Sequence, residues 1–391
     1  MSPLRVVGKI LWAAAPCALA VGCARDIPIG AVISRTGAAS VYGEKVQRGL
    51  DLALEEINAG GGFKGRKLRL VVRDDATNPA VGRRAVEELI RQDAVHVIVG
   101  PIVSPVALAI APLCEQTRTV LLSPSASAPQ ITSAGEFIFR NYPSDVLEGT
   151  SMARFARQLG LERMVILALD NEFGAGLKTV FSQQYAGRLH EIVATFDFRE
   201  ADASAFDLMV ERVRSLKPDG VYLVAYLSDT AEILRRIHAA RIGAVVLGAS
   251  SVTGEIVRLA GAAAENLVYP QPTFDPESTE PPVRAFVEAY RGRYHEDPDN
   301  FAAHGYDALK LLYRALQQGG SSQADDIRRG LLGIEDYAGA AGPTAFDDNG
   351  DVVQYPRLFI IRQGRSVAYD RFVEQGGSIR PPLSMSAGAP R

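Results

Sequence analysis

The chain has little of what catalysis, metal binding and nucleic-acid binding usually require. Its 391 residues include three cysteines, five histidines and one tryptophan. The histidines are scattered without the short spacings of a metal site, and no Walker A loop, nucleophile elbow or H-E-x-x-H sequence occurs. The 42 basic residues nearly balance the 45 acidic ones, which leaves no electrostatic footprint for nucleic acid. We therefore expect no enzyme, no catalytic residues, no metal and no cofactor.

An apolar run at the amino terminus is too short to cross a membrane. Two basic residues precede apolar residues 10–21, and Pro16 interrupts this run, which falls short of the ~20 residues that a span needs. Such a basic end, short apolar core and small residues are typical of a secretory signal peptide. Residues 19–23, Leu-Ala-Val-Gly-Cys, resemble a bacterial lipobox. We therefore expect residues 1–22 to be cleaved as a lipoprotein signal peptide and Cys23 to be lipidated.

The small number of cysteines excludes an intrachain disulfide in the exported chain. Cys17 lies in the predicted leader and Cys23 is the predicted lipid site, which leaves Cys114 as the single free thiol. Cys114 lies in an apolar helical pattern that no catalytic motif surrounds. We expect it to be buried in a helix, and the chain to be periplasmic or at the cell surface, anchored to the membrane through Cys23.

Short β-branched runs alternate with amphipathic helical patterns, which is typical of α/β proteins with parallel, doubly wound sheets. The runs are continuously apolar, as expected for strands covered on both faces. Strands are predicted at 27–33, 67–73, 95–99, 119–122, 164–169, 221–226, 245–247, 267–269 and 358–362. Helices are predicted at 44–58, 79–91, 105–116, 147–159, 176–185, 206–216, 230–240, 282–294, 302–317 and 324–332. About nine or ten strands exceed one comfortable sheet, so two sheets are expected.

One glycine-rich pattern looks like a dinucleotide fingerprint but stands in the wrong context. Residues 60–65 match the spacing G-x-G-x-x-G. A loop of this kind must leave a strand and open a helix in order to hold a pyrophosphate. Here the pattern follows a predicted helix and precedes a predicted strand, so we predict a helix stop followed by a turn.

Serine-rich segments follow two consecutive predicted strands. Ser104 looks like an N-cap with Pro105 as the first helical residue, and Ser125 and Ser127 follow the next strand. Ligands of open α/β sheets lie beyond the carboxyl ends of the strands, where hydroxyls and free N–H groups suit a carboxylate. Each segment alone fits simple capping and turn chemistry. Their occurrence on consecutive strands favours an anion-binding site.

Aromatic and acidic residues occupy other strand exits. Tyr42 lies between the first strand and the first helix, Phe173 follows Asp170 in the sequence Asp-Asn-Glu-Phe-Gly, and Tyr226 precedes Asp229. An aromatic residue at such a place either walls a pocket or packs on the surface. Acidic and aromatic groups that face a serine pair would suit a small zwitterion or an aliphatic acid.

The order and spacing of several motifs carry a resemblance to a known family. These motifs are residues 42–43, 58–68, 74–75, 123–129, 139–140 with 143–145, and 342–343 with 346–347. Together they resemble the leucine/isoleucine/valine-binding protein family, the type I periplasmic solute-binding proteins of ABC importers. The similarity runs from about residue 27 to residue 372.

The resemblance implies an α/β fold with two Rossmann-like lobes, whose parallel doubly wound sheets are joined by a three-segment hinge. Lobe I would comprise residues 26–144 plus 272–356, and lobe II residues 145–271 plus 357–373. Residues 374–391 are Gly-, Pro- and Ser-rich without periodicity, and we predict them to be a disordered tail.

The resemblance also implies roles for matching positions. The implied ligand-binding residues are Tyr42, Ser104, Ser125, Ala126, Ser127, Asp145, Phe173, Tyr226 and Ser250. Ser104 would bind the ligand carboxylate, and residues 125–127 would add main-chain and hydroxyl contacts to carboxylate and ammonium. Tyr42 would wall the pocket from lobe I, and Phe173 and Tyr226 would close over the ligand from lobe II. Asp145 would lie near the hinge beside the ammonium.

Ser250 marks a departure from the family pattern. Amino-acid-binding members often carry an acid in the loop that here spans residues 248–251, so the strongest partner for an ammonium is missing. An ammonium group desolvated without a carboxylate costs several kcal/mol. Either Asp145 or Asp229 supplies the charge, or the ligand is a carboxylate or amide without an ammonium. Some members also carry a disulfide where this chain has Thr77 and Val103. The loss of this disulfide should cost stability and not function.

The sequence therefore predicts a lipoprotein outside the cytoplasm. It would capture a small carboxylated ligand between two closing lobes and deliver it to an ABC permease. The ligand would be a branched-chain or related amino acid, or a carboxylate or amide. The alternative is a periplasmic sensor that passes its ligand state to a membrane receptor. The expected partners are the small molecule, the ABC transporter permease and, through the lipid, the membrane, with no nucleic acid.

Overall fold

The computed structural model describes residues 25–379, so the predicted signal peptide, Cys23 and residues 380–391 lie outside the described residues. The strands are β1 (Ile27–Ile33), β2 (Leu68–Asp74), β3 (Val97–Val99), β4 (Val120–Ser123), β5 (Ile138–Arg140), β6 (Arg163–Leu169), β7 (Glu191–Phe198), β8 (Gly220–Val224), β9 (Val245–Gly248), β10 (Val268–Gln271), β11 (Tyr337–Gly339), β12 (Gly342–Thr344), β13 (Arg357–Arg362) and β14 (Arg365–Ala368). The helices are α1 (Ser40–Ala59), α2 (Pro79–Arg91), α3 (Ser104–Gln116), α4 (Asp145–Gln158), α5 (Glu172–Tyr185), α6 (Ala203–Leu216), α7 (Leu227–Ala239), α8 (Ile256–Ala260), α9 (Pro281–Tyr294), α10 (Asn300–Gly319), α11 (Ala324–Leu332) and α12 (Tyr369–Glu374). Within this part of the chain, every helix is too short or too polar to span a bilayer.

The first sheet is built from the amino-terminal part of the chain. Within the described residues it has five parallel strands in the order β2-β1-β3-β4-β5. Strands β3 and β4 are buried along their whole length, because helices cover both faces of the sheet. Since parallel strands end at the same edge, the segments that follow β1, β3 and β4 meet there.

The second sheet is mixed. Over residues 25–379 it has seven strands in the order β14-β13-β10-β9-β8-β6-β7. Strands β6 to β10 pair parallel with one another, whereas β13 pairs antiparallel with both β10 and β14. The sequence predicted parallel sheets, but β13 and β14 are joined by a two-residue turn at Gln363 and Gly364, and a hairpin of this kind can only be antiparallel.

The chain passes between the two sheets three times within the described residues. The passages lie between β5 and α4, between β10 and α9, and between β12 and β13. This arrangement confirms the α/β class with two Rossmann-like lobes and a three-segment hinge. We call the half that contains the first sheet lobe I and the half that contains the second sheet lobe II.

Most predicted elements are present, and the differences have physical reasons. The sequence analysis missed β5, which is three residues long and ends in a charged residue, and β7, an edge strand with a single buried residue. It also missed the short antiparallel strands β11, β12 and β14. Helix α1 ends at Ala59 before a turn, as the glycine pattern predicted. Cys114 is buried in α3, and burial raises the pKa of its thiol to about 12. At the carboxyl end, α12 ends at Glu374, and Ile379 packs against the core.

Candidate ligand-binding site

In each lobe, an aromatic residue followed by glycine stands near the start of the helix after the sheet's first strand. These pairs are Tyr42-Gly43 in α1 and Phe173-Gly174 in α5. A Cβ atom at Gly43 would lie 2.0 Å from the carbonyl oxygen of Ser34, and one at Gly174 would lie 1.9 Å from that of Leu169. Only glycine lets these helices approach the strand ends so closely. The approach places Tyr42 and Phe173 at the facing edges of the two sheets.

Three serines of lobe I, namely Ser104, Ser125 and Ser127, form the polar side of the site, which we call the serine lip. The Ser104 Oγ atom accepts hydrogen bonds from the backbone N–H groups of Ser127 and Ala128, both at 3.1 Å. Its own proton is therefore free to be donated to a ligand. The Ser125 hydroxyl donates to the carbonyl of Ile102 at 2.6 Å, which leaves its lone pairs free to accept. The lip thus offers both a donor and an acceptor.

The predicted capping role of Ser104 is wrong. Helix α3 begins at Ser104 itself, its N-cap residue is Val103, and no side chain caps it. The Ser104 side chain instead crosses to the segment after β4, because the two strand ends are adjacent and Ser127 and Ala128 present free N–H groups there. The hydroxyl therefore joins the two serine-rich segments into one surface.

Aromatic rings from both lobes face the serine lip. We call this set the aromatic wall: Tyr42, Tyr142, Phe173, Tyr226 and Phe301. The ring centroids of Tyr42 and Phe301 are 4.6 Å apart, and the stacked rings of Phe173 and Tyr226 are 5.8 Å apart. Tyr42 of lobe I meets Tyr226 of lobe II edge to face at 6.3 Å. Rings arranged in this way favour the apolar or aromatic body of a ligand.

The Tyr42 hydroxyl connects the two lobes directly. It donates to the carbonyl oxygen of Ser251 at 2.9 Å and accepts from the backbone N–H of Leu227 at 2.7 Å. Burial raises the pKa of the Tyr42 phenol well above its usual value, so the hydroxyl stays neutral and keeps both bonds. The cavity between lip and wall measures about 30 Å³, room for about one water molecule. This closed conformation therefore admits a ligand of amino-acid size only when the lobes separate.

We predict that Tyr42→Phe shifts the chain toward an open form. The substitution removes two hydrogen bonds between the lobes, each worth about 1 kcal/mol net. Small-angle X-ray scattering without ligand should therefore show a larger radius of gyration than for the wild type. Tyr222→Phe is the matched control, because the buried Tyr222 hydroxyl has no hydrogen-bond partner within residues 25–379. Equal radii for the two variants would contradict the bridging role of Tyr42.

A buried acid that the sequence analysis missed supports the loop that carries Ser250. The Glu148 Oε1 atom of α4 accepts the backbone N–H of Ser250 at 3.0 Å, and the Gln271 amide donates to the Ser250 carbonyl at 2.7 Å. Burial raises the pKa of Glu148, and the negative charge of Asp145 raises it further. The loop around Ser250, which has no acid of its own, is thus held next to the acid Glu148 of α4. Glu148 does not line the cavity.

The two acids expected to replace the missing charge occupy different places. Asp145 begins α4 at the first passage between the lobes, and its backbone N–H donates to the carbonyl of Ser127 at 2.9 Å. Its carboxylate is buried without a hydrogen-bond partner among the described residues, and burial raises its pKa. Asp229 instead accepts the N–H of Ala201 at 3.2 Å. Neither of the two lines the cavity.

The structure brings most of the predicted site residues into one cavity lining. Seven of the nine line it, namely Tyr42, Ser104, Ser125, Ser127, Phe173, Tyr226 and Ser250. Ala126 is buried beneath them, where its N–H donates to the Ser123 hydroxyl at 3.0 Å, and Asp145 lies behind Ser127. Their binding roles remain predictions. The lining residues missed from the sequence are Ile102, Val103, Tyr142, Ser251 and Phe301.

Two lobes joined by three passages, with a lined cleft between facing sheet edges, define the class of two-lobed solute-binding proteins. The family model described as "Periplasmic binding protein" matches residues 26–365. The chain therefore belongs to the periplasmic binding protein family, and the resemblance predicted from its motifs is confirmed.

Named relatives share nearly the whole chain. The Leu/Ile/Val-binding protein of Escherichia coli K12 is 27% identical over 356 residues, which cover 89% of this chain and 95% of the relative. The structure of LivJ from Streptococcus pneumoniae in complex with isoleucine is 25% identical with a TM-score of 0.81, covering 88% and 98% of the two chains. A Rhodopseudomonas palustris solute-binding protein in complex with benzoate is 23% identical with a TM-score of 0.81, covering 88% and 95%.

Proposed function

We propose that this chain captures a small carboxylated molecule between its lobes and delivers it to an ABC permease, as a binding protein and not as an enzyme. The observation that carries the proposal is the serine lip of lobe I facing the aromatic wall inside a cleft that Tyr42 closes. The isoleucine complex of LivJ supports a carboxylate ligand, because that protein has the same fold and is similar along nearly its whole length.

The hydrogen bonds of the lip favour a carboxylate at Ser104. Its Oγ atom already accepts two N–H groups, so it can only act as a donor toward a ligand. It also lies at the start of α3, where the helix dipole favours negative charge. Ser125 can accept from an ammonium or an amide N–H. A branched-chain or related amino acid and an aromatic or aliphatic acid are thus the two ligand classes that the site accommodates.

Capture would follow from closure of the two lobes. We propose the boundaries predicted from the sequence, residues 26–144 plus 272–356 for lobe I and 145–271 plus 357–373 for lobe II; the distribution of the strands between the two sheets supports this division. A ligand held between the lip and the wall favours a form in which the lobes close onto it, because only there do both sets of contacts exist. The permease would then recognise the surface of the closed form.

The proposal places the chain outside the cytoplasm, held to the membrane by a lipid on Cys23 after removal of residues 1–22. The order of basic, apolar and small residues before Cys23 supports export and lipidation, and the family match supports a periplasmic location. The alternative of a sensor uses the same cleft and closure. A neighbouring permease gene favours transport, and a neighbouring histidine-kinase gene favours sensing.

A thermal-shift screen of the purified chain tests the proposal. The panel holds amino acids, their 2-oxo acids, aliphatic and aromatic acids, and short amides. A ligand at 100 times its dissociation constant stabilises the folded chain by about 2.7 kcal/mol, which is a readable shift. A hit among amino acids would mean that an acid near the lip replaces the one missing at Ser250. A screen with no carboxylate hit at millimolar concentration would contradict the proposal.

We predict that Ser104→Ala weakens binding of the carboxylate found in the screen by about 1–3 kcal/mol, because a hydrogen bond to a charged group is lost. Isothermal titration calorimetry measures the affinity. Ser104→Thr is the matched control, since it keeps the hydroxyl and should retain most of the affinity. Unchanged affinity in Ser104→Ala would rule out the carboxylate assignment.

A further inference from the structure

A second space adjoins the cavity at the mouth of the cleft. This space, which we call the mouth crevice, measures about 470 Å³ and is lined by residues of both lobes. Its lobe I side is formed by Thr77, Pro79, Pro105 and Gln130, all without charge. Tyr226 lines both the mouth crevice and the cavity, so the two spaces meet at its side chain.

The lobe II side of the mouth crevice is strongly acidic. Asp170, Glu172 and Glu200 line it, and within the described part of the chain none of the three forms an ion pair with a basic side chain. Other acids of the same lobe do form pairs, such as Asp197 with Lys178 at 2.5 Å and Asp207 with Arg236 at 2.7 Å. The mouth crevice therefore carries negative charge that no ion pair among residues 25–379 offsets.

A residue that lines the mouth crevice carries an unpartnered hydroxyl. Tyr226 is 5% exposed, and its hydroxyl has no hydrogen-bond partner among residues 25–379. Burial raises the pKa of this phenol well above its usual value, and the negative charge of Glu200 raises it further. Burial and the charge of Asp229 likewise raise the pKa of Glu200. A cation placed here would relieve both the repulsion and the missing hydrogen bond.

The acids do not form a metal site. No group of three or more His, Cys, Asp or Glu side chains suited to a metal ion occurs in the described ranges. The shape is also wrong for a compact ion, since the acids lie around a space of about 470 Å³ that is walled on its other side by prolines, Thr77 and Gln130. An extended organic cation with apolar atoms beside its charge fits such a space better.

We propose that the mouth crevice is a subsite for a cationic group, an ammonium or guanidinium, on a ligand whose carboxylate is bound at the serine lip. This proposal rests on the proposed function, because it places the acidic end of the ligand in the cavity. It narrows the ligand to a molecule with an acid at one end and a base at the other. Tyr226 lies between the two ends, and its hydroxyl oxygen accepts a hydrogen bond from the cationic group.

Two matched pairs of probes test the subsite by isothermal titration calorimetry on the purified chain. They are L-arginine against L-citrulline, and 4-guanidinobenzoate against 4-ureidobenzoate. Each pair differs mainly in the charge of the end group. We expect the guanidinium member to bind about fivefold more tightly, the effect of one partly exposed charge pair. This advantage should disappear in Glu200→Gln and shrink at high salt, because salt screens exposed charges.

Glu211→Gln is the control, since it makes the same charge change on the exposed face of α6, outside the mouth crevice, and should keep the advantage. Equal binding of both members of each pair to the wild type, or an equal advantage in Glu200→Gln, would overturn the subsite. Agmatine, which has a guanidinium but no carboxylate, separates this proposal from the proposed function. If agmatine binds the wild type but not Glu200→Gln, the subsite is supported even when no carboxylate binds the chain.

Discussion

Replacing Arg140 with methionine is expected to destabilise the chain by about 3–5 kcal/mol, because it leaves the buried carboxylate of Asp351 without its cationic partner. Arg140 is fully buried in lobe I. Its guanidinium binds both carboxylate oxygens of Asp351, at 2.7 and 2.6 Å, and donates to the carbonyls of Ser127 and Ala128 at 2.8 and 2.9 Å. The fifth N–H group donates to the Thr132 hydroxyl at 2.7 Å. No other rotamer or residue type satisfies this set of acceptors.

Urea denaturation followed by circular dichroism measures the effect. Arg83→Met is the control, because Arg83 forms an exposed pair with Glu87 at 3.4 Å and should cost less than about 1 kcal/mol. The double variant Arg140→Met/Asp351→Leu should recover part of the loss, since it also removes the unpaired acid. A single variant as stable as the control would show that the buried Asp351 does not depend on the guanidinium.

The position of Arg140 links this stability to ligand binding. Its two carbonyl partners, Ser127 and Ala128, are the residues whose N–H groups bind the Ser104 hydroxyl. The guanidinium therefore binds the carbonyl groups of this turn, and the Ser104 hydroxyl binds its N–H groups. In the sequence Arg140 was visible only as part of a family motif, because a charged residue at the end of a three-residue strand gives no local indication of burial.

The sequence predicted those site residues that follow strands. Apolar runs locate the strand ends, and in a parallel sheet these ends share one edge, so the amino-acid order alone places Ser104, Ser125 and Ser127 together. Tyr42 and Phe173 could be placed there too, because each precedes a glycine at the start of a helix. The hydrogen bonds between the serines could not be predicted, since they depend on how two neighbouring loops approach each other.

The remaining site residues lie where local sequence carries no information about the cleft. Phe301 belongs to α10, which reads as an ordinary buried helix, yet its ring contacts Tyr42 at 4.6 Å. Tyr142 lies just before the first passage between the lobes. It could have been predicted as a site residue only if the position of that passage had been known. Glu148 reads as a solvated helix residue, but it lies next to Ser250 because lobe II folds that loop against α4.

Replacing both buried acids of α4, as Asp145→Asn with Glu148→Gln, is expected to stabilise the chain by several kcal/mol at pH 8 and to have little effect at pH 4. Burial raises the pKa of both carboxyls, and the charge of Asp145 also raises that of Glu148. In the unfolded chain both groups lose their protons near pH 4. The folded chain keeps both protons to higher pH. Between pH 4 and the raised pKa values, the unfolded state therefore binds fewer protons than the folded state.

Stability of the wild type should therefore fall as pH rises from about 4 toward 8, and the double variant should lack this part of the fall. Asp307, whose pKa is raised to about 7 by burial, and His304, whose pKa is lowered to about 4 by burial, are present in both proteins and cancel in the difference. Urea denaturation at pH 4, 6 and 8 measures that difference, with the exposed Glu335→Gln as control. A difference that stays constant with pH would mean that both acids titrate normally in the folded chain. If it grows with pH, Asp145 and Glu148 are neutral in the closed, ligand-free form, and an ammonium that binds beside them must displace a proton.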